Sequence, residues 1–393
     1  GVTGANLRVA VGFEPQFVFI KNTTNSSNWL MLDVMRGAAD SGSDQAILAA
    51  NLNGAENTDG IRLFVTNEGF GTYNQTGTNI NASGNTYIYM AIRRPNKPPE
   101  DATEVFKPTH LANGVTSIGF VPDLNISKWT SGTQDWFWLD RLRGGSVTTA
   151  NLFSNSTAAE GTGVGINFDE TTNSISGSGY NSLYANYTFK RAPGFFDVVA
   201  YTGTGSARTV SHNLAAIPEL MIVKRRYAAN WAVYNTFSGN TYGINLNRDN
   251  AEALYNSYWN STSPTSTEFT VNSNTSVNAT NDTYIAYLFA TLPGISKVGS
   301  YTGTGSALNI DCGFTNGARF VLIKRSDGTG DWYVWDTTRG IVSGNDPYLF
   351  LNTTGQQQAN TDQIDPYGPG FTIDTATTAL NDIGGTYLFL AIA

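Results

Sequence analysis

One short pattern is spelled four times along the 393 residues, and it constrains the fold before anything else does. Its clearest copy runs Lys324 … Trp332-Tyr-Val-Trp-Asp336-Thr-Thr-Arg339-Gly340. Two more are Lys21 … Trp29-x3-Asp33-x2-Arg36-Gly37 and Lys128 … Trp136-x3-Asp140-x2-Arg143-Gly144. A degenerate copy reads Lys224 … Trp231-x3-Asn235-x2-Ser238-Gly239. Trp, Asp or Asn, Arg or Ser, and Gly keep one spacing in all four. The Lys precedes the Trp by eight residues in three copies and by seven in the degenerate one. Such repetition predicts tandem copies of one small unit rather than a single large fold.

The flanks repeat too. Val199-Ala-Tyr-Thr-Gly-Thr-Gly-Ser206 recurs as Gly299-Ser-Tyr-Thr-Gly-Thr-Gly-Ser306. Tyr184-Ala-Asn-Tyr-Thr-Phe-Lys-Arg-Ala-Pro193 matches Tyr284-Ile-Ala-Tyr-Leu-Phe-Ala-Thr-Leu-Pro293, with looser copies at 87–95 and 386–393. Each unit thus closes on an aromatic-rich strand. In the first three a Pro then stops it, because Pro cannot donate to the ladder. The expected units are 1–97, 98–193, 194–293 and 294–393. The first lacks most of the opening segment, and residue 1 is Gly rather than Met. Both features predict a C-terminal part of a longer polypeptide.

Within the fourth unit, short β-branched and aromatic runs separated by Gly, Asn, Asp and Ser predict seven strands. They fall at 299–303, 307–311, 319–324, 331–336, 348–352, 371–374 and 386–392. Seven strands in about 100 residues imply an all-β chain of four antiparallel β-sandwich or jelly-roll-like units. Apolar runs at 17–20 and 284–290 predict central strands covered on both faces. A short helix is expected only within 247–259. The Pro-rich stretch 96–100 is a stiff connection.

Composition narrows the function classes. Charged residues are 14 % of the chain, below the ~25 % of an average globular protein, and Asn, Thr, Ser and Gly carry the polarity instead. The net charge of −8, without a basic cluster, argues against nucleic acid. Cys312 is the one cysteine, so no intrachain disulfide can form. No run approaches the ~18 apolar residues of a membrane span. His110 and His212 fall at non-equivalent positions, where turn or surface roles are expected, and no metal or cofactor set is legible. Asp327-Gly-Thr-Gly-Asp331 lacks the ligand set of a calcium loop and reads as a turn. Glu160, Asp169 and Glu170 are candidate carboxylates for a glycosidase, which needs two facing each other across a cleft.

Strand alternation decides what the repeated set can do. Lys324 and Trp332 fall together at the mouth of a hairpin, where a cation over an indole contributes ~0.5–2 kcal/mol. Asp336 lies four residues on, roughly 13 Å away at ~3.3 Å per residue. It opens the next turn, accepts backbone N–H groups and pairs with Arg339, while Gly340 supplies a positive φ. In the degenerate copy both charges are lost together, leaving Asn235 and Ser238. That is the mark of a structural pair, although a decayed ligand site would look the same. The set is therefore read as a staple that folds each unit. Four tryptophans outside the repeated position, Trp129, Trp138, Trp259 and Trp335, are the candidates for stacking on a carbohydrate, against a core-packing reading that is favoured for most of them.

Arg191-Ala-Pro-Gly-Phe-Phe-Asp-Val-Val-Ala-Tyr-Thr-Gly-Thr-Gly-Ser206, Ile217-Pro-Glu-Leu-Met-Ile-Val-Lys-Arg-Arg226, residues 87–94 and the Trp-x3-Asp-x2-Arg-Gly pattern together resemble a repeat domain. It is found in tail-fibre-like structural proteins of marine phages, notably those of cyanobacteria. Units one and four lack the Arg-Ala-Pro-Gly-Phe-Phe-Asp junction. The resemblance implies a non-enzymatic virion component on the tail or capsid exterior, with no catalytic residues to carry over. Its implied partners are other virion proteins, further copies of the chain in a homo-oligomer (a trimer first), and a host surface glycan. A tail fibre is the first reading, a capsid-decorating protein the second, and a polysaccharide-degrading spike the third.

Overall fold

The structure, a computed structural model, describes residues 7–36, 46–57, 63–72, 80–94, 97–111, 114–144, 150–162, 166–169, 174–177, 184–374 and 379–393. It is all-β, with 44 % strand and 5 % helix. The expected helix is confined to one turn at Asn256–Trp259, and a second turn forms at Thr275–Asn278.

Among the described residues strand pairing is antiparallel, and each ladder closes within one of four stretches of chain: 7–93, 106–189, 196–289 and 296–392. The fourth shows the plan. Its larger sheet runs in the order Ser296–Thr302, Thr386–Ile392, Phe320–Arg325, Trp332–Asp336, Leu349–Phe350. Its smaller sheet runs Leu308–Asp311, Gly370–Ile373, Ile364–Tyr367. The strand Ile364–Tyr367 is additional to the seven expected, because Pro366 and Asp365 disguise it. It is an edge strand, where Pro does no harm to the ladder.

Val321, Ile323 and Phe389 of the larger sheet meet Ile310, Phe371 and Ile373 of the smaller one in a single core. This is the face-to-face packing of two sheets that alternating side chains dictate. The third stretch builds the same core from Val223 and Ala286 against Val210, Phe269 and Val271.

The alternate residues of each larger sheet point the other way, into a second core that no one stretch owns. Ile126, Tyr187 and Phe189 there meet Ile222, Tyr287 and Phe289, and both sets meet Phe320, Leu322 and Leu390. Ring centroids lie 5.0 Å apart for Tyr187 and Phe320, 5.9 Å for Phe189 and Phe289, and 5.1 Å for Trp138 and Tyr287. Strands such as Tyr184–Phe189 are buried at every position as a result. Each fully buried aromatic or aliphatic side chain here contributes about 1.5–3 kcal/mol relative to exposure.

The first stretch departs from this. Val18, Ile20, Leu30 and Leu32 pack inward with Leu63 and Val65. On the opposite face Phe17, Phe19, Trp29 and Met31 are half-buried, and Ile88, Met90 and Ile92 are each 49 % exposed. The run at 17–20 is therefore covered on one face rather than two.

The first stretch joins the others through buried charge. Arg191 reaches Glu14 at 2.8 Å, and its backbone N–H donates to Asp123. Arg94 pairs with Asp123 at 2.8 Å. Burial alone would raise the Asp123 carboxyl, but Arg94, Arg191 and Arg141 hold it below its ordinary value. The Arg-Ala-Pro-Gly-Phe-Phe-Asp segment is thus the knot where three stretches meet, which explains its absence from repeats one and four.

Candidate functional site

Lys and Trp do converge at the hairpin mouth, but they are tied mainly to backbone. Lys324 Nζ donates to Gly330 O at 2.7 Å, and Lys224 Nζ to Tyr227 O and Ala229 O at 3.1 and 3.0 Å. Lys128 Nζ donates to Trp129 O at 3.0 Å, and Lys21 Nζ to Ser27 O at 2.5 Å. Among the described lysines only Lys224 lies near its Trp ring, 6.0 Å from the Trp231 centroid, so loop carbonyls rather than the indole hold the ammonium. Burial lowers the amines of Lys128 and Lys324 to about 8 and that of Lys224 to about 7. Among the described residues no Lys lies on the repeated Asp, as the strand length requires.

The Asp opens the following turn. Asp33, Asp140 and Asp336 accept the backbone N–H of Arg36, Arg143 and Arg339 at 2.8, 3.0 and 3.0 Å. Their second oxygens pair with the same arginines at 2.6, 2.6 and 2.5 Å. Asn235 holds the turn through its amide oxygen, 2.8 Å from Ser238 N. Gly144, Gly239 and Gly340 have φ of 100°, 81° and 127°; Gly37 lies outside the described residues.

The set also reaches beyond its own hairpin. Trp136 donates its indole N–H to Phe350 O at 2.8 Å, Trp332 to Asn245 O at 3.2 Å, and Trp231 to Phe153 O at 2.9 Å. The second repeat thus binds the fourth, the fourth the third, and the third the second, which closes a ring. Backbone bonds follow the same circuit: Gln134 N to Thr354 O, Gly330 N to Asp249 O, and Ala229 N to Thr157 O, at 2.9–3.0 Å. So do Gln357 N to Thr130 O, Glu252 N to Ser326 O, and Glu160 N to Arg226 O.

The Asp–Arg pair receives a hydroxyl on this circuit. Tyr187 donates to Asp336 at 2.9 Å and Tyr287 to Asp140 at 2.7 Å. Arg339 and Arg143 in turn donate to those hydroxyls at 3.0 and 3.3 Å. Leu390 occupies the tyrosine's place in the fourth repeat, and the turn it would serve is the degenerate one, Asn235 and Ser238. Paired loss of Asp and Arg is matched by loss of the tyrosine. That triple change fits a structural contact.

Two further repeated positions escaped the sequence reading. Asn51, Asn155, Asn247 and Asn352 each accept the backbone N–H of the repeated Trp at 2.8–2.9 Å. Each also donates its amide to the residue just before that Trp: Asn28, Asp135, Asn230 or Asp331. The invariant Asn/Asp before Trp was a visible signal. The downstream Asn was hidden by loops of unequal length. Five residues beyond it, Glu56, Glu160 and Gln357 meet the repeated Arg at 3.2–3.3 Å, and Glu252 meets Ser238.

The candidate ligand residues fare differently. Trp138, Trp259 and Trp335 are buried in cores, so their faces are not open to a sugar; Trp129 is half-buried with Gly132 against its ring. Glu160 is clamped between Arg143 and Arg226, which offset the upward push of burial and hold its carboxyl below the usual range. That suits an ion pair, not a general acid. Glu170 and the side chain of Asp169 lie outside the described residues. His212 is buried, not on the surface: it stacks on Phe269, and burial lowers its pKa. His110 meets Thr130 at 3.2 Å. Asp327 pairs with Arg325 at 3.0 Å. Among the described residues the carboxylates close enough to share a cation are Asp362, Asp365 and Asp374, at no repeated position. Cys312 is buried, which pushes its thiol up to about 12. No helix among the described residues is long and apolar enough to cross a membrane.

An all-β protein of antiparallel sheets whose repeated polar set joins one repeat to the next is the class these observations define. The chain belongs to the family described as domain of unknown function DUF7483, whose model matches residues 5–95 and 188–393. No curated protein and no solved structure matches it.

Proposed function

We propose that this chain is a non-enzymatic structural protein of a phage virion, built of four β-sandwich modules and displayed on a tail fibre or similar appendage at the virion surface. Its partners are other virion proteins and a glycan on the host surface. One observation carries the reading: the repeated Trp of repeats two, three and four and the Asp–Arg pairs of repeats two and four, which elsewhere would equip an active site, are engaged in contacts between modules. A chain that spends its chemistry on internal joints serves as a rigid building part. The resemblance of residues 191–206 and 217–226 to phage fibre repeats supplies the setting. Labelled antibody against the chain, viewed on particles by electron microscopy, tests it. Label at the tail is expected. Label on the capsid lattice would favour a decorating role, and unlabelled particles would remove the virion reading. Purified chain is further expected to compete with phage for adsorption, and unchanged adsorption at saturating chain would remove attachment.

A further inference from the structure

The half-open face of the first repeat is the counterpart of the faces that meet inside the ring. Ile88, Met90 and Ile92 are each 49 % exposed, whereas their equivalents Leu388, Leu390 and Ile392 are 4 %, 3 % and 0 % exposed. Phe19 stacks on Trp29 at 5.0 Å on the same open face, and Trp29 occupies the place of Trp136, Trp231 and Trp332. Three such faces, related by a closed circuit of equivalent backbone and indole contacts, bury one another within this chain. The fourth has no partner among the described residues of its own chain.

We propose that three copies of the chain associate through the first repeat, about a threefold axis, and repeat between chains the contacts that repeats two, three and four make within one. The register is fixed by the ring. Trp29 Nε1–H donates to Ala49 O of the neighbouring copy, as Trp136 does to Phe350 O. Ser27 N–H donates to Asn53 O, as Gln134 does to Thr354 O, and Glu56 N–H to Thr23 O, as Gln357 does to Thr130 O. The acceptor is already prepared. Ala49 O takes the Leu52 N–H at 3.0 Å, just as Phe350 O takes Thr353 N–H, Phe153 O takes Ser156 N–H and Asn245 O takes Arg248 N–H. Each of those three carbonyls uses its remaining lone pair for an indole. Residues 51–57 and Thr23 are exposed, so the docking edge is open. A heterologous contact whose rotation closes after three copies gives a ring rather than a filament. The inference rests on the geometry of the ring and is independent of where the protein acts.

Sedimentation equilibrium of the full chain is expected to give three times its 42.3 kDa mass. I88E/M90E, changed at half-exposed sites, is expected to give the single chain, still folded and unfolding in one cooperative transition at a midpoint lowered by the lost association. I383E, at a residue 80 % exposed in the fourth repeat, is expected to remain trimeric. Independently, oxidised S27C/N53C is expected to run as a covalent trimer on a denaturing gel, which neither single variant does. A wild-type monomer or dimer overturns the proposal, as does a trimer that survives I88E/M90E and fails to cross-link.

Discussion

The hydroxyl of Tyr187 donates to the carboxylate of Asp336 at 2.9 Å across 149 residues of sequence. Its counterpart is Tyr287 on Asp140 at 2.7 Å. At the third joint of the ring the equivalent positions are Leu390 in place of the tyrosine and Asn235 and Ser238 in place of the Asp–Arg pair. The polar and the apolar solutions occupy equivalent places in one molecule.

Y187F should destabilise the chain by about 1.5–3 kcal/mol, because a buried carboxylate loses a charge-assisted partner. Y187L should cost at least as much. The triple change Y187L/D336N/R339S, which copies the third joint, should recover part of that loss, since no buried charge is then left short of a partner. Urea unfolding midpoints of the three variants check this, and a triple variant less stable than Y187L would refute it.

The turn residue Asn352 holds Trp332 N–H and Asp331 at 2.9 and 2.7 Å. N352A leaves a buried backbone donor unpaired and should cost about 1–3 kcal/mol. N352D keeps the acceptor toward Trp332 N–H but sets its charge against Asp331, so it too should lower the thermal midpoint. The same substitutions at Asn247 should differ from each other, because the residue before Trp231 is the neutral Asn230. N247D should therefore be milder than N352D.

Gly303 of the repeated Tyr-Thr-Gly-Thr-Gly-Ser segment carries a different constraint. A Cβ there would lie 2.0 Å from Asp382 O, and at Gly203 2.1 Å from Ala279 O. G303A should therefore destabilise by more than the ~1 kcal/mol of an ordinary glycine change, whereas G384S, at a position with open space around the missing Cβ, tests the φ of 77° alone. Thermal midpoints separate the steric effect from the backbone one.

The buried Lys224 amine gives a pH prediction. Burial, and then Arg225 and Arg143, lower it to about 7 from 10.5. Between those values the unfolded chain binds the proton and the folded chain does not, so unfolding takes up a proton and stability rises with pH. The thermal midpoint should increase from pH 7 towards pH 10, and K224M should show a smaller increase over the same range. Differential scanning calorimetry across that window checks the sign.

Much of the fold was legible because strand chemistry is local. Alternating apolar residues placed strands at 319–324 and 331–336, within one residue of the observed Phe320–Arg325 and Trp332–Asp336, and put Lys324 and Asp336 at opposite ends of a hairpin. The ring was not legible, because its contacts join Tyr187 to Asp336 and Trp231 to Phe153, and nothing in a single sequence marks residues so far apart as neighbours. The repeated Asn51, Asn155, Asn247 and Asn352 were missed for a simpler reason: the loops before them differ in length, which breaks the fixed spacing that exposed Trp and Asp. Trp138, Trp259 and Trp335 stood out as ligand platforms because they lie outside the repeated Trp position. They are core residues: Trp138 and Trp335 lie on larger sheets covered on both faces, and Trp259 packs from a helical turn into the core of the third repeat.

The central claim is that repeats two, three and four form one body through the shared set, rather than three beads on a chain. Native-state hydrogen exchange in increasing urea, read on peptides containing Trp136, Trp231 and Trp332, tests it most directly. One common opening free energy for all three is expected, because each Trp donates to the next repeat and none can open alone. Three separate values, each unaffected by R339S in another repeat, would contradict it.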